Sequence, residues 1–463
     1  MSSRHVHTDL LVAGAGAAGM MAALVAVHHG LTVTVVERDL SGPSNLLVSG
    51  GLFPGAGTRY QAELGIADDA DCFARDAHQK AGGEVDPPML AAIAAQTAPA
   101  VHFLADVAGI PIKLLHAITA PGHAVPRLHA TPGESGRDLH ARMRSAMAAQ
   151  SQIRLLADAE LVELLTTGDA GPVCGARARI AGEACDIHAH AVLLATGGFA
   201  ANRELLTQYI PEMKDALHIG AGANDGCAVS LGRALGAEVA FMQGYQGQGH
   251  VNPPSGRTRL GMTLPPQGAF MVNRDGRRFV AEDIGPSELA AFVLSQPGGV
   301  ALEVFDQRIH EFASSQGPYR EAFEAGHIRK ADHINELAAL FGLPETIFVK
   351  TFNRFVEAVR TGNDPDQGRQ RFGPELKPPF FAAWVTGALA HTQGGLRVDP
   401  HARVLRSNGS VISGLYAAGG AAASISGVGG AGYLPGNGLA QSFGLAMLAG
   451  PHIAGVLANR GKR

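Results

Sequence analysis

Leu10-Leu11-Val12-Ala13-Gly14-Ala15-Gly16-Ala17-Ala18-Gly19, followed by an Ala/Met/Val run and then by Val33-Thr34-Val35-Val36-Glu37, decides the fold of this chain. An apolar strand enters a glycine turn, a helix leaves it, and a second strand ends on an acid. Gly14 permits the tight turn, Gly16 leaves the backbone open to a pyrophosphate at the helix N-terminus, and Gly19 lets helix and strand pack closely. Glu37 stands 23 residues beyond Gly14, close to the ~20 at which a carboxylate meets a ribose hydroxyl. Strand, turn, helix and acid together predict a βαβ unit that binds a dinucleotide.

The bulk composition narrows what surrounds that unit. With 463 residues the chain is long enough for two or three domains. A net charge of −4 and no run of like charges point away from nucleic acid and from an anionic membrane surface. The 60 glycines and 26 prolines sit in short turns, as many βα loops require. No signal-peptide pattern opens the sequence. The longest apolar helix is read at 17–27, short of the ~20 residues that span a bilayer, so no membrane span is expected. Cys72, Cys174, Cys185 and Cys227 have no CxxC spacing. That excludes iron–sulfur, zinc and c-type haem sites, fits a reducing cytoplasm, and leaves redox chemistry to an organic cofactor.

Along the chain, Ser49-Gly50-Gly51 can thread past a flat cofactor because it lacks bulk. Helices are expected at 86–108 and 136–150, and the polar loop 122–129 reads as solvated surface rather than a substrate wall. Residues 153–165, 175–180 and 185–190 alternate as a small antiparallel meander. A buried strand over 191–199, ending in Thr196-Gly197-Gly198, returns to the parallel sheet. Gly220-Ala221-Gly222 has the wrong spacing for a second nucleotide motif. From 241 to 384 the βα rhythm is lost, with a hairpin-like stretch at 271–279 and helices near 286–296, 331–341 and 344–361. A last helix is placed at about 440–448.

Three glycine landmarks now stand in order: the N-terminal turn, Ala195-Thr196-Gly197-Gly198, and Gly414-Leu415-Tyr416-Ala417-Ala418-Gly419-Gly420. With Gly276-Arg277-Arg278-Phe279-Val280-Ala281-Glu282, similar to a GKRFVNE segment, and His391-Thr392-Gln393-Gly394-Gly395, similar to HTMGG, the chain resembles the fumarate reductase/succinate dehydrogenase flavoprotein superfamily. The resemblance implies an α/β fold: a Rossmann-like FAD-binding domain with parallel sheet and small antiparallel meander at 1–240 and 385–463, interrupted by an α+β capping domain at 241–384. It implies that Ala18 and Glu37 meet the ADP portion of FAD beside Gly14, Gly16 and Gly19. Ser44, Asn45, Ser49, Gly50 and Gly51 would line the middle of the cofactor, and the backbone of Leu161 the adenine. Asp225 matches a TGDG aspartate; Thr196, Gly197, Gly419, Gly420 and Asn437 belong to the glycine landmarks; Gly438 and Leu439 match amides that face the flavin. Ser44 stands where covalently flavinylated relatives carry histidine, so FAD is expected to be noncovalent. Gly420 stands where the family often has glutamate.

For the chemistry, His250, Thr263 and His391 match substrate-holding residues of the fumarate reductases. Two arginines are missing: the proton-donor position falls near Pro286, and the carboxylate-binding position is Tyr433. A phenol donates one hydrogen bond and suits a ketone or enolate oxygen better than a carboxylate, which prefers a guanidinium. Gly432-Tyr433-Leu434-Pro435-Gly436 is similar to a segment of the ketosteroid dehydrogenases, where such a tyrosine and a backbone N–H form an oxyanion hole. His250 is the first candidate for the base, Tyr245 the second, and either could instead only bind substrate; Arg257 and Arg259 could supply a carboxylate clamp. The expectation is an FAD-dependent α,β-dehydrogenation of a small carbonyl compound, a cyclic ketone or keto acid, with hydride passing to flavin N5 and electrons leaving to an external acceptor. The alternatives are an enoate or enone reductase, and a non-catalytic flavin-binding or electron-transfer subunit.

Overall fold

The computed structural model describes residues 5–117, 119–168, 171–255, 260 and 264–460. Contacts between Cα atoms divide the chain into two compact units, one of Met1–Leu205, Gly220–Tyr245 and His391–Arg463, the other of Leu206–Ile219 and Gln246–Ala390. The second unit thus takes in 206–219 as well as most of the 241–384 segment.

In the first unit, the strands Arg403–Leu405, Val411–Ala417, Glu183–Leu194, His5–Ala13, Val33–Val36 and Ile153–Leu156 lie side by side in that order. Leu10 pairs with Val33 on one side and Ala191 on the other, all parallel. Leu10 to Ala13 and Val33 to Val36 are buried without alternation, because helices cover both faces of a parallel sheet. The helix Ala17–His28 is buried almost all round and packs against the C-terminal helix Asn437–Arg460.

Three sequence expectations need correction here. The stretch 153–165 is two strands, Ile153–Leu156 in the parallel sheet and Ala159–Thr166 in the meander. The meander's third strand and the buried return strand are instead one continuous strand, Glu183–Leu194. Its first half pairs antiparallel with Val173–Ile180, and most of its length pairs parallel with His5–Ala13. Its burial changes from alternating to continuous along its length, which in sequence reads as two elements. Nor is 17–27 the longest apolar helix. Pro87–Val107, in which Pro87–His102 continues as a π-turn, and Asn437–Arg460 are 21 and 24 residues, long and apolar enough to cross a membrane by length and composition, with 44% and 50% of those windows buried within the protein.

The loop 122–129 is surface only at Gly122 and Ala124; its polar residues turn inward. His123, Arg127 and His129 are all buried. The Arg127 guanidinium donates to Asp68 at 2.9 Å, to Asp76 at 2.6 Å and to Cys72 Sγ at 3.3 Å. A polar stretch reads as solvated only when its partners are unknown; here they are acids tens of residues away.

In the second unit the strand Phe380–Thr392 is flanked by Leu217–His218 and Val300–Asp306, the latter pairing with Phe270–Val272; Tyr245–Val251 and Arg329–Ala331 also join it. Phe270 stacks on Phe355 with centroids 4.7 Å apart, and Phe305 on Phe381 at 6.0 Å. The hairpin-like stretch at 271–279 is a turn closed by Asn273 and Arg277, and the strand before it pairs elsewhere. Arg278 then enters the interior between Glu282 and Asp364. Helices Pro286–Leu294, Ile334–Phe341 and Glu345–Thr361 form near the expected places, joined by Gln307–Ala313 and Gly317–Glu324. Trp384, the single tryptophan, stacks under Arg274.

Candidate cofactor cradle and active site

The first glycine turn shows which of its glycines the protein itself requires. Gly14 has φ +102°, and a Cβ there would meet the Ala195 carbonyl oxygen at 2.4 Å; at Gly19 it would meet the Gly14 carbonyl oxygen at 1.9 Å. At Gly16, the N-cap of Ala17–His28, a Cβ would meet nothing within 4 Å, and the helix has no side-chain cap and no acid in its first turn. An open space therefore fronts unpaired N–H groups at the positive end of a helix, which suits a phosphate. Ala18 lies 2.9 Å from where a Cβ on Gly419 would stand. Glu37 accepts from the Ala15 N–H at 2.7 Å and ties the second strand's end to the turn. Asp225 pairs with Arg38 at 2.6 Å and accepts from the Cys227 N–H, while the Leu161 carbonyl faces the Cys227 thiol at 3.7 Å.

Next along the chain, Ser44 caps the short helix Asn45–Val48, and the Asn45 Oδ1 accepts from the Ala221 N–H at 2.8 Å. Ser49 Oγ accepts from the Gly51 N–H, and Gly51, at φ +67°, packs on the Gly136 backbone, leaving Gly50 met only by Leu52. Gly197 has φ +81° and abuts Asn224. The Thr196 hydroxyl and the Asn224 Nδ2 are both buried with no hydrogen-bond partner among the described residues. A Cβ on Gly420 would stand 2.8 Å from the Gly198 nitrogen, so a glutamate there could not be seated without moving backbone.

At the start of Asn437–Arg460, Asn437 is fully buried, donates to Ser426 Oγ at 3.3 Å, and leaves its Oδ1 without a partner among the described residues. The Leu439 N–H closes a turn on the Gly436 carbonyl at 3.0 Å. A methyl group on Gly438 would stand 3.5 Å from His391 Nε2 and 3.7 Å from the Tyr433 hydroxyl, so both polar atoms lie close to the same point. The two rings meet edge to face with centroids 5.7 Å apart. Burial pushes the Tyr433 phenol up to about 12, against opposing hydrogen bonds from the Gly438 and Gly436 backbone. Burial likewise lowers the His391 imidazole to about 4, against its contact with the Thr392 carbonyl. Both groups are therefore neutral at pH 7 and each has a hydrogen to donate.

Within the second unit, His250 is 2% exposed on Tyr245–Val251, and its Nδ1 lies 3.2 Å from Glu303 Oε2 on Val300–Asp306. Glu303 is fully buried and its Oε1 has no partner among the described residues. A carboxylate facing Nδ1 holds the proton there and leaves Nε2 as an acceptor. Tyr245, which belongs to the first unit, is 3% exposed, its N–H donating to the Gly429 carbonyl. Pro286 is the first residue of its helix, followed by Ser287, which accepts from the Gly247 N–H at 2.8 Å. Thr263, Arg257 and Arg259 lie outside the described residues.

Residues 9–439 match the family described as FAD binding domain. The chain belongs to this FAD-binding family. Among its relatives, a probable fumarate reductase of Shewanella frigidimarina, Ifc3, is 29% identical over 96% of this chain and 75% of its own length. A 3-oxosteroid 1-dehydrogenase of Mycobacterium tuberculosis is 30% identical over 57% of this chain and 52% of its own. The open conformation of a flavocytochrome c3 fumarate reductase superposes with a TM-score of 0.83 at 28% identity, covering 97% of this chain and 78% of that one. This flavoprotein is an FAD-dependent oxidoreductase with fumarate reductases and ketosteroid dehydrogenases as homologues.

The residues present fit FAD. The open space at Gly16 would admit a pyrophosphate, and the orphaned Thr196 hydroxyl and Asn224 amide lie beside the turn that a dinucleotide would cross. Sequence reasoning missed Asn224, Glu303, Gln393 and Ser424. Gln393 carried a signal, a polar residue in place of the methionine of HTMGG. Glu303 carried another, an acid flanked on both sides by apolar residues, Val300-Ala301-Leu302 and Val304-Phe305.

Proposed function

We propose that this flavoprotein desaturates the α,β C–C bond of a small carbonyl compound, a cyclic ketone or keto acid. The observation that carries the reading is a pair of neutral, buried polar groups, the Tyr433 hydroxyl and His391 Nε2, both within 4 Å of one point beside Gly438, where they would serve as donors. Two neutral donors stabilise the single oxygen of an enolate, whereas a dicarboxylate calls for fixed positive charge. The substrate loses its α-proton to a base and its β-hydrogen with an electron pair, leaving C=C. Bound FAD supplies the acceptor for that hydride. His250 is the base in this scheme: the Glu303 carboxylate leaves its Nε2 free to accept and offsets the charge of the imidazolium that results.

FAD is held noncovalently, since Ser44 offers no imidazole for attachment. Electrons leave to an external acceptor. Four free cysteines favour a reducing compartment, the cytoplasm. A second reading, reduction of an enoate or enone, is favoured by the likeness to fumarate reductases along nearly the whole chain. In that direction protonated His250 donates where the desaturase accepts.

The test is an anaerobic titration of the yellow protein with saturated cyclic ketones, keto acids and succinate. Bleaching of the flavin band near ~450 nm by a ketone, lost in Tyr433→Phe, is the expected result. Bleaching by succinate alone, or reoxidation of reduced flavin by enoates with no bleaching by any saturated compound, overturns desaturation.

A further inference from the structure

We propose that Gln393, itself held by Ser424, is a positioning residue that fixes His391 as the tautomer with its proton on Nε2. The inference rests on the reading of His391 as a donor to substrate oxygen and names what makes it one.

Ser424 Oγ lies 2.5 Å from the Gln393 side-chain oxygen. That separation suits O–H···O and is short for N–H···O, which centres near ~2.9 Å. Ser424 Oγ also accepts from the Ser426 N–H at 3.1 Å, so its own hydrogen is free to point at Gln393. The amide is thereby oriented: Oε1 accepts from Ser424, and Nε2 is turned to His391 Nδ1 at 2.8 Å. An amide nitrogen can only donate, so Nδ1 must be the unprotonated nitrogen and Nε2 carries the proton. The flipped amide would need a 2.5 Å N–H···O bond to Ser424 and would leave Nδ1–H donating; the longer 3.4 Å approach of Nδ1 to the Thr392 carbonyl is all that favours it.

The relay has little freedom. The Gln393 N–H donates to the Gly244 carbonyl at 2.7 Å and its carbonyl accepts from the Ser424 N–H at 3.0 Å, so both ends of the side-chain contact are pinned through backbone. Gln393, Ser424 and Ser426 are buried. A chain of oriented dipoles then ends on His391 Nε2, at the spot it shares with the Tyr433 hydroxyl. A methionine at 393 could not specify the tautomer, because a thioether has no hydrogen to donate. The glutamine thus selects for substrates that bring a lone pair to this place, a carbonyl oxygen, and against those that bring a hydrogen.

The test is nitrogen NMR on the 15N-labelled, FAD-loaded full chain, with His391 assigned by its loss in His391→Asn. The wild type is expected to show a neutral ring protonated at Nε2. Gln393→Glu, nearly isosteric, offers Nδ1 an acceptor instead of a donor and is expected to move the proton to Nδ1 or to give an imidazolium. Ser424→Ala is expected to leave a mixture of the two tautomers, and it serves if Gln393→Glu does not fold. Where a ketone bleaches the flavin and the Gln393→Glu ring is neutral with its proton on Nδ1, kcat/KM should fall about 10²-fold, the cost of one lost oxyanion donor. Restoration by His or Asn at 393 is not expected, since neither reaches both partners. A wild-type ring protonated at Nδ1, or a tautomer unchanged in both variants, overturns the proposal. Its failure is separable from that of the functional reading: the nitrogen shifts need no substrate, so an Nε2–H ring in a protein that no saturated carbonyl compound bleaches upholds Gln393 and sinks desaturation.

Discussion

Replacing Arg127 by methionine keeps the unbranched apolar stem and removes the charge from a place that water does not reach. The guanidinium and Asp68 are fully shielded and Asp76 is 13% exposed. Arg127 supplies two bonds to Asp68 and one to Asp76, so the variant strands two carboxylates together. Breaking a buried pair from one side costs about 3–5 kcal/mol, and the loss of the cation stacked 5.6 Å from the Phe73 ring adds about 1 kcal/mol at most. We expect a loss of about 3–6 kcal/mol, with most of it recovered in the triple variant Arg127→Met, Asp68→Asn, Asp76→Asn. Urea unfolding followed by release of flavin fluorescence reads the first unit, while the emission of Trp384 reads the second and serves as the internal control. The damage should reach the active site as well. His123, on the same loop, donates from Nε2 to the Pro435 carbonyl at 2.9 Å, two residues from Tyr433. A change under about 0.5 kcal/mol, as for an ordinary surface arginine, would refute the buried-clamp account.

Gly14→Ala should yield a colourless protein, because the added methyl meets the Ala195 carbonyl at a positive φ where neither backbone can yield; flavin content after gel filtration checks it, and full retention would count against the cradle. Glu303→Gln should lower kcat about 10²-fold with melting temperature unchanged or raised, since a buried charge with an unpartnered oxygen is removed; a large fall in melting temperature with activity kept would make Glu303 structural. Burial lowers both His129 and His391 from 6.5 to about 4, so the unfolded chain binds more protons between those values. Stability should be level above pH 6.5 and fall as pH drops toward about 4, and His129→Gln should flatten that fall in an acid titration followed by circular dichroism.

The βαβ unit was legible because its signals are local: apolar run, glycine turn, acid at a fixed distance. Glu183–Leu194 was misread because one strand crosses two environments, and burial pattern rather than chain direction is what the sequence displays. Arg127 was misread because its partners, Asp68 and Asp76, are 59 and 51 residues away. In the site, Tyr433 and His391 could be picked out by resemblance, but their neutrality depends on burial. The role of Gln393 depends on a serine 31 residues further on. Gly420 is a like case: its departure from the family's glutamate was visible, while the Gly198 backbone that forbids a side chain there was not.

The division of the first unit into three stretches bears on how it is made. Val411–Ala417 docks beside Glu183–Leu194, and Gly419 meets Ala18, only after the whole of the second unit has been synthesised. Gly14 and Ala417 are some 400 residues apart, which at ribosomal rates of ~5–20 residues/s is about 20–80 s. Throughout that interval the N-terminal turn has no opposite wall. Loading with FAD is therefore a late event in the life of the nascent chain, and riboflavin starvation should strike the newly finished protein rather than the growing one.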